Sequence, residues 1–175
     1  QDPYALRRQA LGIVNILIDS KQHISLGTML SKTMELLKLT DSNVQEKLQK
    51  EIQEFFRLRV KNILTDEKIR YDIIDAVMAV GIDDIYDTWL RAKAMELQAN
   101  EAGMQKAIQA FIRVSNLMKH AASDVIEETL FAVDAERNLY KEYKAARSEI
   151  DRMLAAKDYS GVISAMIAMT APIDA

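Results

Sequence analysis

Apolar positions along this chain recur at spacings of three and four, not two, and short polar stretches separate the runs in which they do so. The pattern predicts about eight helices. They run from Pro3 to about Asp19, Leu26 to Lys38, Asn43 to Leu64, Arg70 to Val80, Asp84 to Leu97, Gln105 to Ala122, Ala135 to Ala156 and Tyr159 to Met169. Asp2 is a suitable N-cap ahead of Pro3, and Asp41 or Ser42 caps the third helix. Gly81 stops the fourth. The paired acids Asp83-Asp84 and Glu127-Glu128 mark helix starts, where carboxylates oppose the positive end of the helix dipole. With five glycines, two prolines and almost no alternating β-branched runs in 175 residues, the fold class is all-α, a helical bundle.

The sixth helix carries the chemistry. Lys106, Gln109, Arg113, Asn116 and His120 recur at helical spacing as one narrow polar stripe, with Lys119 beside them, and no acid lies between Glu101 and Asp124. Met104, Ile108, Phe111, Ser115 and Met118 form one flank, and Ala107, Ala110, Val114, Leu117 and Ala121 the other. The wheel therefore predicts a helix buried on most sides. Its one wet stripe offers cations, amides and an imidazole to phosphate or to base edges, unless it is simply a solvated face without acids.

A second cationic region follows from the third helix. Arg59 shares a face with Ile52, Phe55, Phe56 and Ile63, and an arginine on an apolar face needs an anion: Asp72, Asp75 or an RNA phosphate. Lys61, Lys68, Arg70 and Tyr71 lie nearby in sequence, the tyrosine offering a ring on which a base can stack. The seventh helix mixes Lys141, Lys144 and Arg147 with Glu136, Glu142, Glu149 and Asp151, which reads as ordinary solvated surface. The methionines fall among apolar positions and read as core filler.

Composition narrows the function. A net charge of −3 gives no global pull on nucleic acid, so RNA binding would rest on a local patch. No cysteine and two isolated histidines leave no thiolate or zinc centre, and a reducing cytoplasm fits best. No stretch is long and apolar enough to span a membrane. Glycine-rich phosphate loops, HExxH and GxSxG are all missing, so catalytic residues are not expected.

The opening Asp2-Pro3-Tyr4-Ala5-Leu6-Arg7-Arg8-Gln9-Ala10-Leu11-Gly12-Ile13 resembles the DPxALRRxALGI segment of the bacterial glycyl-tRNA synthetase β-subunit family. Phe55 followed by Arg59 and Lys61, then Tyr71 to Val77, are similar to that family's F-x-x-x-R-x-[RK] and D-x-I-x-A-V elements. Arg113-Val114-Ser115-Asn116-Leu117 matches its RVSN[IL] element, although Ile112 stands where the family usually has a basic residue.

The resemblance implies the C-terminal region of that subunit. Residues 1–40 would be a helical linker or the end of a preceding domain. Residues 41–175 would form a DALR-type anticodon-binding domain similar to that of arginyl-tRNA synthetase, truncated before a last helix whose loss leaves an apolar face. The implied partners are glycine tRNA and the α subunit, in an α2β2 parent whose α subunit uses ATP and magnesium. Carried onto this sequence, the RNA-binding residues are Arg59, Lys61, Arg113 and Asn116, with Lys106, Lys119, His120, Arg70 and Tyr71 as neighbours. Two alternatives stand beside this: the related domain of another synthetase such as arginyl, and a helical scaffold that docks to other subunit domains.

Overall fold

The computed structural model describes residues 3–121, 123 and 125–175; the expected cap at Asp2 lies outside them. Among these residues every regular element is helical, and the one strand-like feature is a bridge between Ser25 and Asp84. Helices stand where the periodicity placed them: α1 (Pro3–Asp19), α2 (Leu26–Leu36), α3 (Ser42–Asp66), α4 (Tyr71–Ala79), α5 (Ile85–Gln98), α6 (Ala102–Met118), α7 (Asp134–Ala155) and α8 (Tyr159–Ala168). A 3-10 turn at Glu128–Leu130 and a short helix α9 (Thr170–Asp174) complete the set.

The chain folds as two compact units, Gln1–Glu96 and Leu97–Ala175. In the first, α1, α2 and α4 all pack on α3. Val14, Leu26, Val60, Leu64, Ile74 and Met78 are almost wholly withdrawn from solvent, each such side chain contributing roughly 1.5–3 kcal/mol. Helices α1 and α2, from the segment read as a linker or the end of a preceding domain, are thus built into this unit.

Helix ends in this unit are closed by long-range contacts as well as local caps. Asp41 accepts from the amides of Asn43 and Val44 at the start of α3. At the start of α2, Ser25 Oγ accepts from Thr28 N at 3.0 Å, while Asp83 supplies its carbonyl to Leu26 N and its Oδ1 to Gly27 N at 2.8 Å. Asp84 Oδ1 in turn accepts from Asp87 N at 2.8 Å, opening α5. Both paired acids therefore serve helix starts, one of them on a distant helix. Gly81 follows α4 at φ +109, which L side chains rarely adopt.

At four helix ends a lysine occupies the left-handed position where glycine is usual: Lys21, Lys38, Lys68 and Lys157. After α3, Lys68 N donates to Thr65 O and Ile69 N to Leu64 O; the same pair of bonds closes α1, α2 and α7.

In the second unit, α6 packs on α8 and α9, and α7 packs on α8 and α9. Small residues bring these helices close: Ala107 and Ala110 are buried, and a Cβ placed on Gly103 would meet Ile167 Cγ2 at 2.9 Å. An open apolar groove of about 580 Å³ runs between α7, α8 and α9, lined by Ala146, Met153, Ala165, Ala168 and Pro172 among others.

The burial expected for α6 needs correcting. Met104, Ala107, Ala110, Phe111 and Val114 face inward, two residues of one predicted flank and three of the other, but Ile108, Ile112, Leu117 and Met118 are exposed, Ile112 at 55% and Leu117 at 72%. Within this unit α8 and α9 pack on the helix and cover one face of it. Met118 likewise projects into solvent instead of filling core, whereas Met78 is buried.

Candidate functional site

The nine residues proposed from sequence divide between the units. Arg59, Lys61, Arg70 and Tyr71 lie in the first, and Lys106, Arg113, Asn116, Lys119 and His120 in the second.

In the first unit the cations are spoken for. Lys61 Nζ pairs with Asp75 Oδ1 at 3.2 Å across α3 and α4. Arg70, the residue preceding α4, clasps Asp72 through Nε at 3.1 Å and Nη2 at 2.6 Å, and its amide donates to Glu96 Oε2. This two-pronged contact raises the Arg70 pKa and lowers that of Asp72. Tyr71 is 82% exposed beside it. These acids leave little net positive charge on this surface.

Arg59 departs from expectation. It is 8% exposed, and neither Asp72 nor Asp75 reaches it, because Arg70 and Lys61 hold those carboxylates. Its guanidinium lies 3.5 Å from the centre of the Phe55 ring and Nη1 donates to Phe55 O at 2.7 Å. Burial, and then the neighbouring charge of Arg7, lower its pKa. The side chain is thus stacked within its own helix.

The second unit presents the stripe on α6. Lys106, Gln109, Arg113, Asn116, Lys119 and His120 are all exposed, and α6 itself contributes no acid to them. Arg113 Nη2 forms an ion pair with Asp174 on α9, and Lys119 Nζ donates to Asn116 Oδ1 at 2.9 Å. Lys106 and His120 extend the stripe at either end. Exposed Ile108 and Ile112 border it, so the outward face of α6 is cationic and apolar together.

Two further clusters escaped the sequence reading because they join distant elements. Trp89 Nε1 donates to Glu67 at 3.0 Å, Lys93 pairs with the same carboxylate at 3.2 Å, and Tyr86 stacks on the indole, which ties the end of α3 to α5. His23, Asp84 and Asp87 offer donor atoms within 4.8 Å of one another, a spacing that suits a metal ion. Those atoms are already engaged: His23 Nδ1 meets Asp84 Oδ2 at 2.7 Å, and Asp87 Oδ2 faces Arg91 Nε at 3.1 Å. Asp84 and Asp87 also stand at the positive end of α5, where their carboxylates oppose the helix dipole.

Comparison with known proteins joins these features. The family model described as glycyl-tRNA synthetase beta subunit matches residues 1–79. The chain is 36% identical over 174 residues to the glycine–tRNA ligase beta subunit of Clostridioides difficile (strain 630), a match covering 99% of this chain and 25% of that protein. It is 35% identical to the same subunit of Halalkalibacterium halodurans, with 99% and 25% covered, and 33% identical to that of Bacillus subtilis (strain 168), with 100% and 24% covered. The chain therefore spans about a quarter of the length of these relatives. Its opening segment, its α3 and α4 elements and the whole of its helical sequence align with one family, and the chain belongs to the glycyl-tRNA synthetase beta-subunit family.

Proposed function

We propose that this chain is a tRNA-holding part of glycine–tRNA ligase, supporting ATP-dependent attachment of glycine to its tRNA. The observation that carries this is the outward stripe of α6. A chain with net charge −3 from this family sets Lys106, Arg113 and Asn116 in solvent on a helix without acids, with Lys119 and His120 exposed in the turn at its end. Arg113 and Lys106 suit phosphate, and Asn116 suits a base edge. Lys61, Arg70 and Tyr71 form a secondary surface whose cations must first leave their aspartates, and Arg59 would have to leave Phe55.

In this reading the chain carries a DALR-type anticodon-binding domain and works in the cytoplasm. The α subunit of an α2β2 enzyme holds ATP, magnesium, glycine and the chemical step. No helix among the described residues is long and apolar enough to cross a membrane.

The test is a titration of the chain against a glycine tRNA transcript and an anticodon-swapped transcript, at low and moderate salt. Tighter binding to the glycine anticodon, weakened by salt and weakened again in Arg113→Ala, is expected. Equal, feeble binding to both refutes it.

One observation favours a second reading. Exposed Ile108, Ile112, Leu117 and Met118 on α6 suit a scaffold that docks on another part of the subunit. Salt separates the two, because phosphate contacts release counterions and apolar docking does not.

A further inference from the structure

Helix α7 reads in sequence as mixed charge, but the fold sorts its residues by face. Glu142 and Glu149 turn toward the groove between α7, α8 and α9, with Asn138, Ala145, Ala146 and Met153. On the helical wheel the opposite arc of the three turns from Arg137 to Arg147 carries Arg137, Tyr140, Lys141, Tyr143, Lys144 and Arg147, and no acid.

The rings on this arc form a continuous cluster. Tyr140 and Tyr143 lie near parallel, 20° apart with centroids separated by 6.4 Å, and Phe131 meets Tyr140 edge-on at 5.6 Å. Lys144 Nζ stands 4.2 Å from the Tyr140 centroid, and Arg147 Nη1 donates to the Tyr143 hydroxyl at 2.9 Å. The cations are held loosely by acids at the margins: Lys144 by Glu128 at 3.3 Å, Arg147 by Asp151 at 3.7 Å and Arg137 by Asp134 at 3.8 Å. All three pairs are solvent-exposed, the kind that exchanges readily for another anion.

We infer that this outward face of α7 binds a short single-stranded RNA segment, with bases on Tyr140 and Tyr143 and phosphates on Lys141, Lys144 and Arg147. Charge complementarity calls for a polyanion. Two aligned rings interleaved with the cations suit unstacked bases better than an acidic peptide, which has no flat π-face. A duplex keeps its bases stacked inside and leaves the rings without partners. The inference rests on the RNA-holding role proposed above and assigns a second surface to it.

The test uses the chain with two probes, a fluorescein-labelled octa-adenylate RNA and the glycine tRNA transcript, read by fluorescence anisotropy. The Tyr140→Leu/Tyr143→Leu pair is expected to lower octa-adenylate affinity at least tenfold, and the Tyr140→Phe/Tyr143→Phe pair, which keeps both rings, to restore most of it. Lys141→Ala/Lys144→Ala, which leaves the ring cluster in place, is expected to reduce the slope of log K against log salt by about 1.4, two single-strand phosphate contacts.

Unchanged affinity in both the leucine and alanine pairs overturns the inference. If Arg113→Ala still weakens tRNA binding, the α6 reading survives alone. Failure of the unmodified chain to bind either RNA overturns both. Displacement of octa-adenylate by poly-glutamate at equal charge concentration marks an undiscriminating cationic face and also overturns the α7 assignment.

Discussion

The ion pair between Arg113 and Asp174 sets up a direct test of the α6 stripe. Asp174 sits on α9 and holds the guanidinium that the RNA reading assigns to phosphate, so RNA and Asp174 compete for one group. Their side chains are 58% and 47% exposed, and exposed pairs of this kind are worth at most about 1 kcal/mol. Asp174→Asn is therefore expected to change stability little and to tighten tRNA binding two- to fivefold, the upper figure being about 1 kcal/mol converted to affinity. The assay is anisotropy of a labelled glycine tRNA transcript, repeated in the Arg113→Ala background. There the Asp174→Asn gain should shrink below twofold, since the released group is gone. Arg113→Ala alone should flatten the salt slope by about 0.7 to 0.9. An undiminished gain in the Arg113→Ala background would show that Asp174 acts only as a repelling charge, and no gain in either would remove Arg113 from the phosphate contacts.

Three predictions concern the first unit, followed through the fluorescence of Trp89 in urea. Gly27→Ala places a Cβ 3.1 Å from Asp83 Oδ1, so it should bring no benefit by itself but stabilise by about 0.5–1 kcal/mol once Asp83→Ala has removed the contact; equal effects in both backgrounds contradict the close approach. Lys68→Gly should stabilise by roughly 0.5–1 kcal/mol, because Lys68 at φ 65 bears a left-handed strain that glycine lacks; a lower midpoint refutes it. Arg59→Met keeps a buried apolar stem beside Phe55 while removing a charge that burial and Arg7 disfavour, so the change should stay within about 1 kcal/mol; a loss of 3–5 kcal/mol is the signature of a broken buried ion pair and would contradict the absence of a carboxylate partner.

Helix positions were legible because each helix has at least one packed face and hence a 3.6-residue period. Local caps were legible too, as at Asp41. Helix ends marked by Lys21, Lys38, Lys68 and Lys157 carried no glycine to read, so the backbone bonds alone identify them. The error on α6 has a different origin. A wheel shows which residues are apolar but not how many neighbours will arrive, and within its unit α8 and α9 cover one face of α6. For Arg59 the sequence proposed two nearby aspartates, yet Lys61 and Arg70 reach them with less burial, leaving the guanidinium to its own helix. The α7 face was available on a wheel, but net mixed charge concealed it: Glu142 and Glu149 dilute the composition without sharing the surface.

The same segregation limits what the second unit can hold. Acids close both ends of the α7 arc, Asp134 before Arg137 and Asp151 after Arg147. Ten steps of 1.5 Å separate those two arginines, a length of about 15 Å. At the 3.4 Å spacing of stacked nucleotides that accommodates about five, and fewer if the strand is extended. A surface this short, on a chain of net charge −3, gains little from non-specific attraction along a duplex. It gains most from a strand already turned outward, where each ring meets a base and each cation a phosphate. Loop-sized single strands therefore match the length, the sign and the aromatic content of this face at once, which is why the α7 and α6 surfaces fit a role in gripping tRNA loops better than one in holding its helical stems.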